Sequence, residues 1–399
     1  MKKVKILIFL SLIFTMTGCY NYRELNQLAI TSAIGIDKKG AEYQVSIQVM
    51  NTQKQGNDGT STGDQPKFVT YKEKGDTLQR AFRNIVLESP RRLYANHISL
   101  LVISEEVAKE GLSDVLDLLF RDTESRKQFI VLISKNSTSA DVLEILTPLE
   151  TLNSKNIVDS VIADNQFLGV SEQITYEQLM DSYLNSKKEI VLPSIEVIGN
   201  TNNGEETNNL QNSSPETKVL LSGYGIFKND RLIGYLSDDD SINLSFLRNK
   251  IENTIIDYKC SEDNYMAVEL VNSKTDIIAK KDKLEVTLKI TGHANINELN
   301  CYMDITNDKT IDKLEKKINQ KIEKDLAGTI EKINNKYNSD VYGFEDLFYK
   351  TNPKFYNKMK KKYGDDFLSH IDFKIKSDVN LFAKGNLLKV IGNEKQENK

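Results

Sequence analysis

Hydrophobic and polar positions along this chain follow two periods. Tyr43, Val45, Ile47 and Val49 alternate with Gln44, Ser46 and Gln48, the pattern of a strand with one buried face. Residues 51–66, rich in Gln, Asn, Gly, Ser and Asp, have nothing to bury and predict a mobile loop before a second strand at Phe68–Tyr71. Leu78, Ala81, Phe82, Ile85 and Val86 then recur at three- and four-residue steps. They predict a helix capped by Asp76 or Thr77 and ended by Ser89-Pro90. His97–Ile103 is too short and too β-branched for a buried helix and reads as a central strand. Leu112–Phe120 predicts a helix, Gln128–Ile133 a strand and Ala140–Leu146 a helix.

Around residues 200–217 the pattern gives way to Asn, Thr, Gly, Glu and Ser with one Pro, which predicts the main linker. Beyond it Tyr224–Phe227 and Leu232–Leu236 read as a hairpin turning at Lys228-Asn229-Asp230-Arg231, and Leu244–Tyr258 as a helix. Tyr265–Asn272 and Leu284–Ile290 read as strands. Ile311, Leu314, Ile318, Ile322, Leu326, Ile330 and Ile333 step by three or four, a mean period of about 3.67, nearer a straight helix than a heptad. One amphipathic helix of roughly 35–40 Å is expected, lying along a sheet rather than wound on a coiled-coil partner. Ile371–Ile375 and Val379–Phe382 read as closing strands. Such alternation predicts an α+β or mixed α/β fold, in two or three domains at about 150 residues each. The boundaries fall at an N-terminal α/β region 19–199, the linker 200–217, a C-terminal α/β domain 218–393 and a polar tail 394–399.

The first nineteen residues break the pattern. Lys2, Lys3 and Lys5 precede an apolar run from Ile6 to Met16, followed by Thr17-Gly18-Cys19. A cationic start, small residues before a cysteine and a run about half the roughly 20 residues of a spanning helix are the parts of a lipoprotein export signal. Cleavage of 1–18 and lipidation of Cys19 are expected: a diacylglyceryl group, with or without an N-acyl chain. Two chains suffice for stable anchoring, since each buried CH2 contributes about 0.8 kcal/mol. No later apolar run approaches membrane length, so the body is expected outside the bilayer.

Losing 1–18 removes three lysines and moves the formal charge from −4 to −7. That is ordinary for an acidic soluble chain and leaves no basic footprint for nucleic acid. Cys260 and Cys301 are the cysteines besides Cys19; in an exported chain a disulfide and two free buried thiols both fit.

Motifs of catalysis are missing. His97, His293 and His370 stand alone, outside any HExxH or zinc-ligand spacing, and no Walker loop, G-x-G-x-x-G or G-x-S-x-G occurs. No metal or other cofactor is expected. Asp238-Asp239-Asp240 lacks the spacing of a calcium loop and reads as a solvated turn capping the next helix. Arg121-Asp122-Thr123-Glu124-Ser125-Arg126 carries more charge than a helix-to-strand connection needs; a structural ion-pair network and a docking surface both explain it.

Together these residues resemble a known family. Cys19 followed by Arg23-Glu24-Leu25, Leu28-Ala29-Ile30 and Gly35-Ile36-Asp37 is similar to the start of the spore germination lipoproteins, the Ger(x)C family. Ser89-Pro90-Arg91-Arg92-Leu93-Tyr94 through His97, Ser104-Glu105-Glu106, and Leu119-Phe120-Arg121-Asp122 with Glu124 and Arg126 resemble its central signatures. Gly223 to Phe227, Asp230 to Leu236, and Asp340-Val341-Tyr342-Gly343-Phe344 with Leu347 resemble its second domain. Tyr20 and Asn21 stand where the family often has Trp and Asp, and Glu345 where it has a second Gly.

The resemblance implies a mixed α/β protein of three small domains, its N-terminal region divided in two. It implies a non-enzymatic C subunit of a nutrient germinant receptor on the outer face of the spore inner membrane, partnered by integral membrane subunits A and B. The partner-contact candidates are Arg91, Arg92, His97, Arg121, Asp122, Glu124 and Arg126. The alternative is a lipid-anchored solute-binding protein that captures the germinant itself. A hydrolase acting on cortex peptidoglycan would need paired carboxylates, which sequence does not establish.

Overall fold

Short, fully apolar runs build the centre of the larger of two sheets. The computed structural model describes Glu24 and residues 27–51, 66–122, 124–262, 264–301, 305 and 307–383. The export signal, Cys19, Thr123, most of the 51–66 loop and the 394–399 tail lie outside the described residues. The N-terminal elements are β1 (Leu28–Lys39), β2 (Glu42–Met50), β3 (Phe68–Gly75), α1 (Leu78–Asn84), β4 (Arg92–Tyr94), β5 (Leu100–Ser104), α2 (Glu105–Glu110), α3 (Ser113–Arg121), β6 (Ile130–Ser134), α4 (Ser139–Glu144), α5 (Asn153–Phe167), α6 (Tyr176–Leu184) and β7 (Val191–Ile198). There follow α7 (Thr201–Gly204), α8 (Asn208–Gln211), β8 (Lys218–Lys228), β9 (Arg231–Tyr235) and α9 (Asp238–Leu247). The C-terminal elements are β10 (Thr254–Lys259), β11 (Tyr265–Ala279), β12 (Glu285–Leu299), α10 (Asp308–Tyr337), α11 (Phe344–Thr351), α12 (Pro353–Tyr363) and β13 (Asp372–Ala383).

The first sheet runs β3-β2-β1-β5-β6-β7-β8-β9, with β4 beside the first residues of β1. Strands β1, β4, β5, β6 and β7 are parallel, in register through Ala33 and Leu100, Leu100 and Ile130, and Ile133 and Ser194. The flanking strands β2, β3, β8 and β9 are antiparallel. All of β5 and β6 is buried, as a parallel sheet covered on both faces requires. Alternation sends Leu101, Ile103, Val131 and Ile133 toward α1, α2, α3 and α6, and Leu100, Val102, Ile130 and Leu132 toward α4 and α5. Thr77, Ser104, Thr138, Thr175 and Ser237 each accept a first-turn amide and fix where their helices begin.

The second sheet, β10-β11-β12-β13, carries α10 along it. All seven residues of the predicted stripe are buried, and the helix has 30 residues, about 45 Å at 1.5 Å per residue. Its side chains also close the sheet's edge. The backbone amides of Ser377, Val379 and Leu381 donate to Glu323 (2.9 Å), Asn319 (2.8 Å) and Glu315 (2.8 Å), and the Asn319 amide donates to the Val379 carbonyl (3.0 Å). A disulfide joins Cys260 to Cys301, Cα atoms 6.2 Å apart, settling the alternative left open by sequence.

Several expectations are corrected. Residues 200–217 do bury side chains: Asn209 bonds the Leu146 and Thr217 carbonyls at 3.2 and 3.0 Å, and the stretch folds back as α7 and α8. β8 and β9 then complete the first sheet, Ile226 opposite Val191 and Lys218 opposite Ile198. The helix expected at Leu244–Tyr258 is instead α9, stopped near Asn249 in the left-handed region (φ 56°), followed by β10. In β10 Thr254 and Ile256 are buried while Ile255 and Asp257 are exposed, a period of two hidden behind the apolar Ile255-Ile256 pair. The central strand starts at Leu100 rather than His97, whose segment Ala95–His97 is a 3-10 turn. The two closing strands are the single strand β13. Asp238, Asp239 and Asp240 form the first turn of α9 behind the cap Ser237.

Candidate functional site

Because β1, β5 and β6 are parallel, the segments that lead into them emerge at one pole, the amino pole. There α1 with the 3-10 turn Ile85–Leu87, the 91–99 segment and the end of α3 enclose a cleft of about 610 Å³. Its floor is apolar, with Ile34, Ile47, Leu93 and Ile98, and its rim carries Arg83, Arg92, Arg121, Asp122 and Glu124. Four predicted contact residues thus meet around one opening. Arg92 Nη2 reaches Glu124 Oε1 at 2.5 Å, both side chains half exposed, and ties the two segments across the rim. Arg121 pairs at 2.8 Å with Asp117 on its own helix and is three-quarters exposed; that hydrogen bond holds the Asp117 carboxyl below its ordinary range. Exposed pairs of this kind contribute about 0–1 kcal/mol, so they leave the rim free to exchange partners.

The other three candidates flank the cleft. Arg126 opens onto the neighbouring hollow with Phe120, Met180 and Leu184. Arg91 follows Ser89, whose hydroxyl donates to the Arg91 carbonyl at 2.8 Å. His97 is exposed, its ring tilted 5.8 Å from Tyr94. Sequence reasoning passed over Lys127. Its ammonium donates to the Leu119 carbonyl, to the Asp122 carbonyl at 2.6 Å and to Ser125 at 2.9 Å, binding the end of α3 to the loop. Burial lowers its pKa. A lysine just past a helix C-terminus was the available signal.

At the opposite, carboxyl pole an open α/β sheet usually carries its ligands. Here an open hollow of about 340 Å³ remains, lined by Asp37, Ser104, Glu105 and Asn136 among others, and its Asp37 is engaged by the chain itself. The buried Asp37 carboxylate accepts the Ser139 amide and hydroxyl, each at 2.7 Å, and the Ala140 amide at 3.1 Å, capping α4. Burial raises its pKa while these bonds pull it back. A Cβ on Gly35 would meet the Ser139 hydroxyl at 2.6 Å, and that hydroxyl is held by Asp37. Gly35 and Asp37 are therefore two halves of one latch.

The family described as "Spore germination protein N-terminal domain" matches residues 21–197, and "Spore germination B3/ GerAC like, C-terminal" matches residues 222–385. The chain belongs to the GerAC-like spore germination family. Spore germination protein KC of Bacillus subtilis (strain 168) is 28% identical over 95% of each chain. Spore germination protein B3 of the same organism is 22% identical over 91% of this chain and 93% of that one. The crystal structure of the GerBC protein superposes with a TM-score of 0.50 at 16% identity, covering 88% of this chain and 96% of that one, a likeness of fold.

The second matched region carries a second latch. Asp340, fully buried, accepts the amides of Gly343 (3.0 Å), Phe344 (3.0 Å) and Glu345 (2.7 Å) and so caps α11, with Gly343 at φ 83° making the turn. The Glu345 carboxylate is held by Tyr356 and Lys360, each at 2.9 Å. Between the two family regions lies a buried ion cluster. Arg248 Nη2 lies 3.0 Å and Lys250 2.9 Å from Glu172, and Arg248 Nη1 donates to the Val341 carbonyl at 2.7 Å. Burial works to raise the Glu172 pKa, but the two cations outweigh it and hold it below the ordinary value. Among the described residues no three His, Cys, Asp or Glu side chains gather as metal ligands, and no helix is long and apolar enough to cross a membrane.

Proposed function

We propose that this chain is a non-enzymatic, lipid-anchored C subunit of a spore nutrient germinant receptor. Cys19 holds it on the outer face of the spore inner membrane, where it works with integral membrane subunits A and B. One observation carries the reading. The segments Arg91–His97 and Arg121–Arg126, far apart in sequence, converge on one charge-rimmed apolar cleft at the pole where β1, and with it the tether from Cys19, begins. Charged rims steer encounter and fix orientation, and apolar floors supply affinity.

Ala95 lines the cleft on its 3-10 turn and is half-buried. Ala95→Arg fills the opening. The variant is expected to stay in the membrane fraction, to lose co-purification with A and B, and to lower nutrient-triggered germination by about tenfold or more, one interface hot spot's worth. Normal assembly and germination would sink the assignment. Cys19→Ala tests the anchor: membrane retention and nutrient response are expected to fail together.

The cleft's volume also lies within the range of small-molecule sites, which favours capture of the germinant as the second reading. Calorimetry on the mature protein with each triggering nutrient decides it; no heat with any of them removes that reading.

A further inference from the structure

We infer that the amino pole seats directly on the lipid surface, through two apolar tips set among arginines on either side of the cleft. This rests on the lipid-anchor reading of Cys19. The first tip is the 3-10 turn after α1, where Val86 and Leu87 are 61% and 80% exposed, flanked by Arg83, Arg91 and Arg92. The second is the end of α3, where Phe120 is 62% exposed between Arg121 and the nearby Arg126. Large apolar side chains this exposed need a partner more than scattered single ones do, because both stand on rigid turns at one end of the molecule.

Two features select a membrane as that partner. One is tether length. Leu28 opens β1 nine residues after Cys19, and β1 begins beside β4 with Leu28 opposite Arg92. Nine residues reach at most about 30 Å however they run, so this pole cannot lie far from the lipid that Cys19 carries. The other is charge. Residues 83–92 and 117–126 hold five arginines against Glu88, Asp117, Asp122 and Glu124, in a chain whose formal charge is −4; Arg92 and Arg121 are held in exposed, exchangeable pairs with Glu124 and Asp117, while Arg83 and Arg126 complete the positive excess. Arginines beside exposed Leu, Val and Phe suit a headgroup phosphate layer over acyl chains, the pattern of interfacial segments. The C-terminal unit joins the same pole on its other flank, where the Glu189 amide donates to the Asp340 carbonyl at 3.0 Å and the Ser339 hydroxyl to the Phe227 carbonyl at 2.5 Å, leaving the tips uncovered. Seated in this way, the cleft between the tips opens toward the bilayer, and what enters it comes from the membrane side.

With Cys19 acylated and Cys260 bonded to Cys301, a single introduced cysteine is the sole free thiol. The test places a nitroxide on Leu87→Cys, Phe120→Cys and Ile198→Cys in the lipidated full-length mature protein, reconstituted into phosphatidylglycerol vesicles. Ile198, 41% exposed at the carboxyl pole, is the control. Labels at 87 and 120 are expected to be relaxed by membrane-dissolved oxygen several-fold more than the label at 198. Equal relaxation at all three sites, in protein that floats with the vesicles, overturns the proposal alone. Protein that does not float overturns the anchor reading and the proposal with it. Labels buried only when A and B share the membrane would also overturn lipid contact and give the tips to those subunits.

Discussion

At the scale of residues, two buried aspartates perform the same task in the two halves of the chain. Asp37 and Asp340 each sit at a helix N-terminus and accept three donors, a geometry that stabilises a helix and fixes the loop before it. Each carboxylate is engaged by its own helix cap. For Asp340 the cost is visible in its titration. Burial pushes its pKa from 3.8 up to about 7, with the amides of Glu345, Phe344 and Gly343 pulling the other way. Between those two values the folded chain holds a proton that the unfolded chain has released, so stability falls as pH rises through this window and levels off above it. Denaturant midpoints are expected to decline from about pH 5 to 8, less steeply in Asp340→Asn than in the parent. Parallel slopes would show that Asp340 is ionised throughout.

At the scale of elements, α10 does more than bury one stripe. Its polar residues Glu315, Asn319 and Glu323 recur every four positions and take up amides of β13 that would otherwise face outward. An edge strand with free amides is a template for pairing with another chain. The helix thus protects the sheet that it packs on. Replacing all three by alanine removes five hydrogen bonds to β13, at about 0.5–1.5 kcal/mol each, and bares the edge. Sedimentation is expected to show association that the parent lacks at equal concentration; an unchanged distribution would mean that the edge is protected by other means. The stripe was legible in sequence because a period near 3.6 survives over many turns. The polar ladder was not, since Glu and Asn on an exposed helix face look the same whether they meet water or a strand.

At the scale of the whole molecule, the two family regions are interlocked rather than strung together. β8 and β9 belong to the second region but finish the sheet of the first, and the Glu172–Arg248–Lys250 cluster fastens the joint with Arg248 and Glu172 side chains only 8% and 6% exposed. Removing one partner of a buried pair costs about 3–5 kcal/mol when the other charge is left alone; without Arg248, Glu172 keeps Lys250 at 2.9 Å, so the loss falls below that limit. Arg248→Ala should lose about 1–3 kcal/mol in chemical denaturation, with the Val341 carbonyl also stripped of its donor, and Arg248→Ala with Glu172→Gln should recover part of it. If the single variant is as stable as the parent, the joint is held by apolar packing instead. The rigid joint sets where the C-terminal unit stands relative to the cleft and the tether.

The sequence by itself determined the mixed α/β class, most strands, the helices α1, α3, α4 and α10, and four of the charged residues that rim the cleft. These are written in local periodicity, capping residues and charge, which need no knowledge of distant contacts. It missed β1, β4, β7 and β10 and the helices α2, α5, α6, α7, α8, α11 and α12: Thr31, Ser32 and Gly35 interrupt the apolar run of β1, and α5 is barely amphipathic because Asn153 and Ser154 are buried on it. Only the tertiary structure decided that residues 200–217 fold back to extend the first sheet, that Cys260 and Cys301 are bonded, that Asp37 caps α4, and that two charged segments share one opening. The physical reason is common to all four. Each depends on which chain segments lie side by side in space, and strand order and register across a sheet are set by long-range packing that no local pattern encodes.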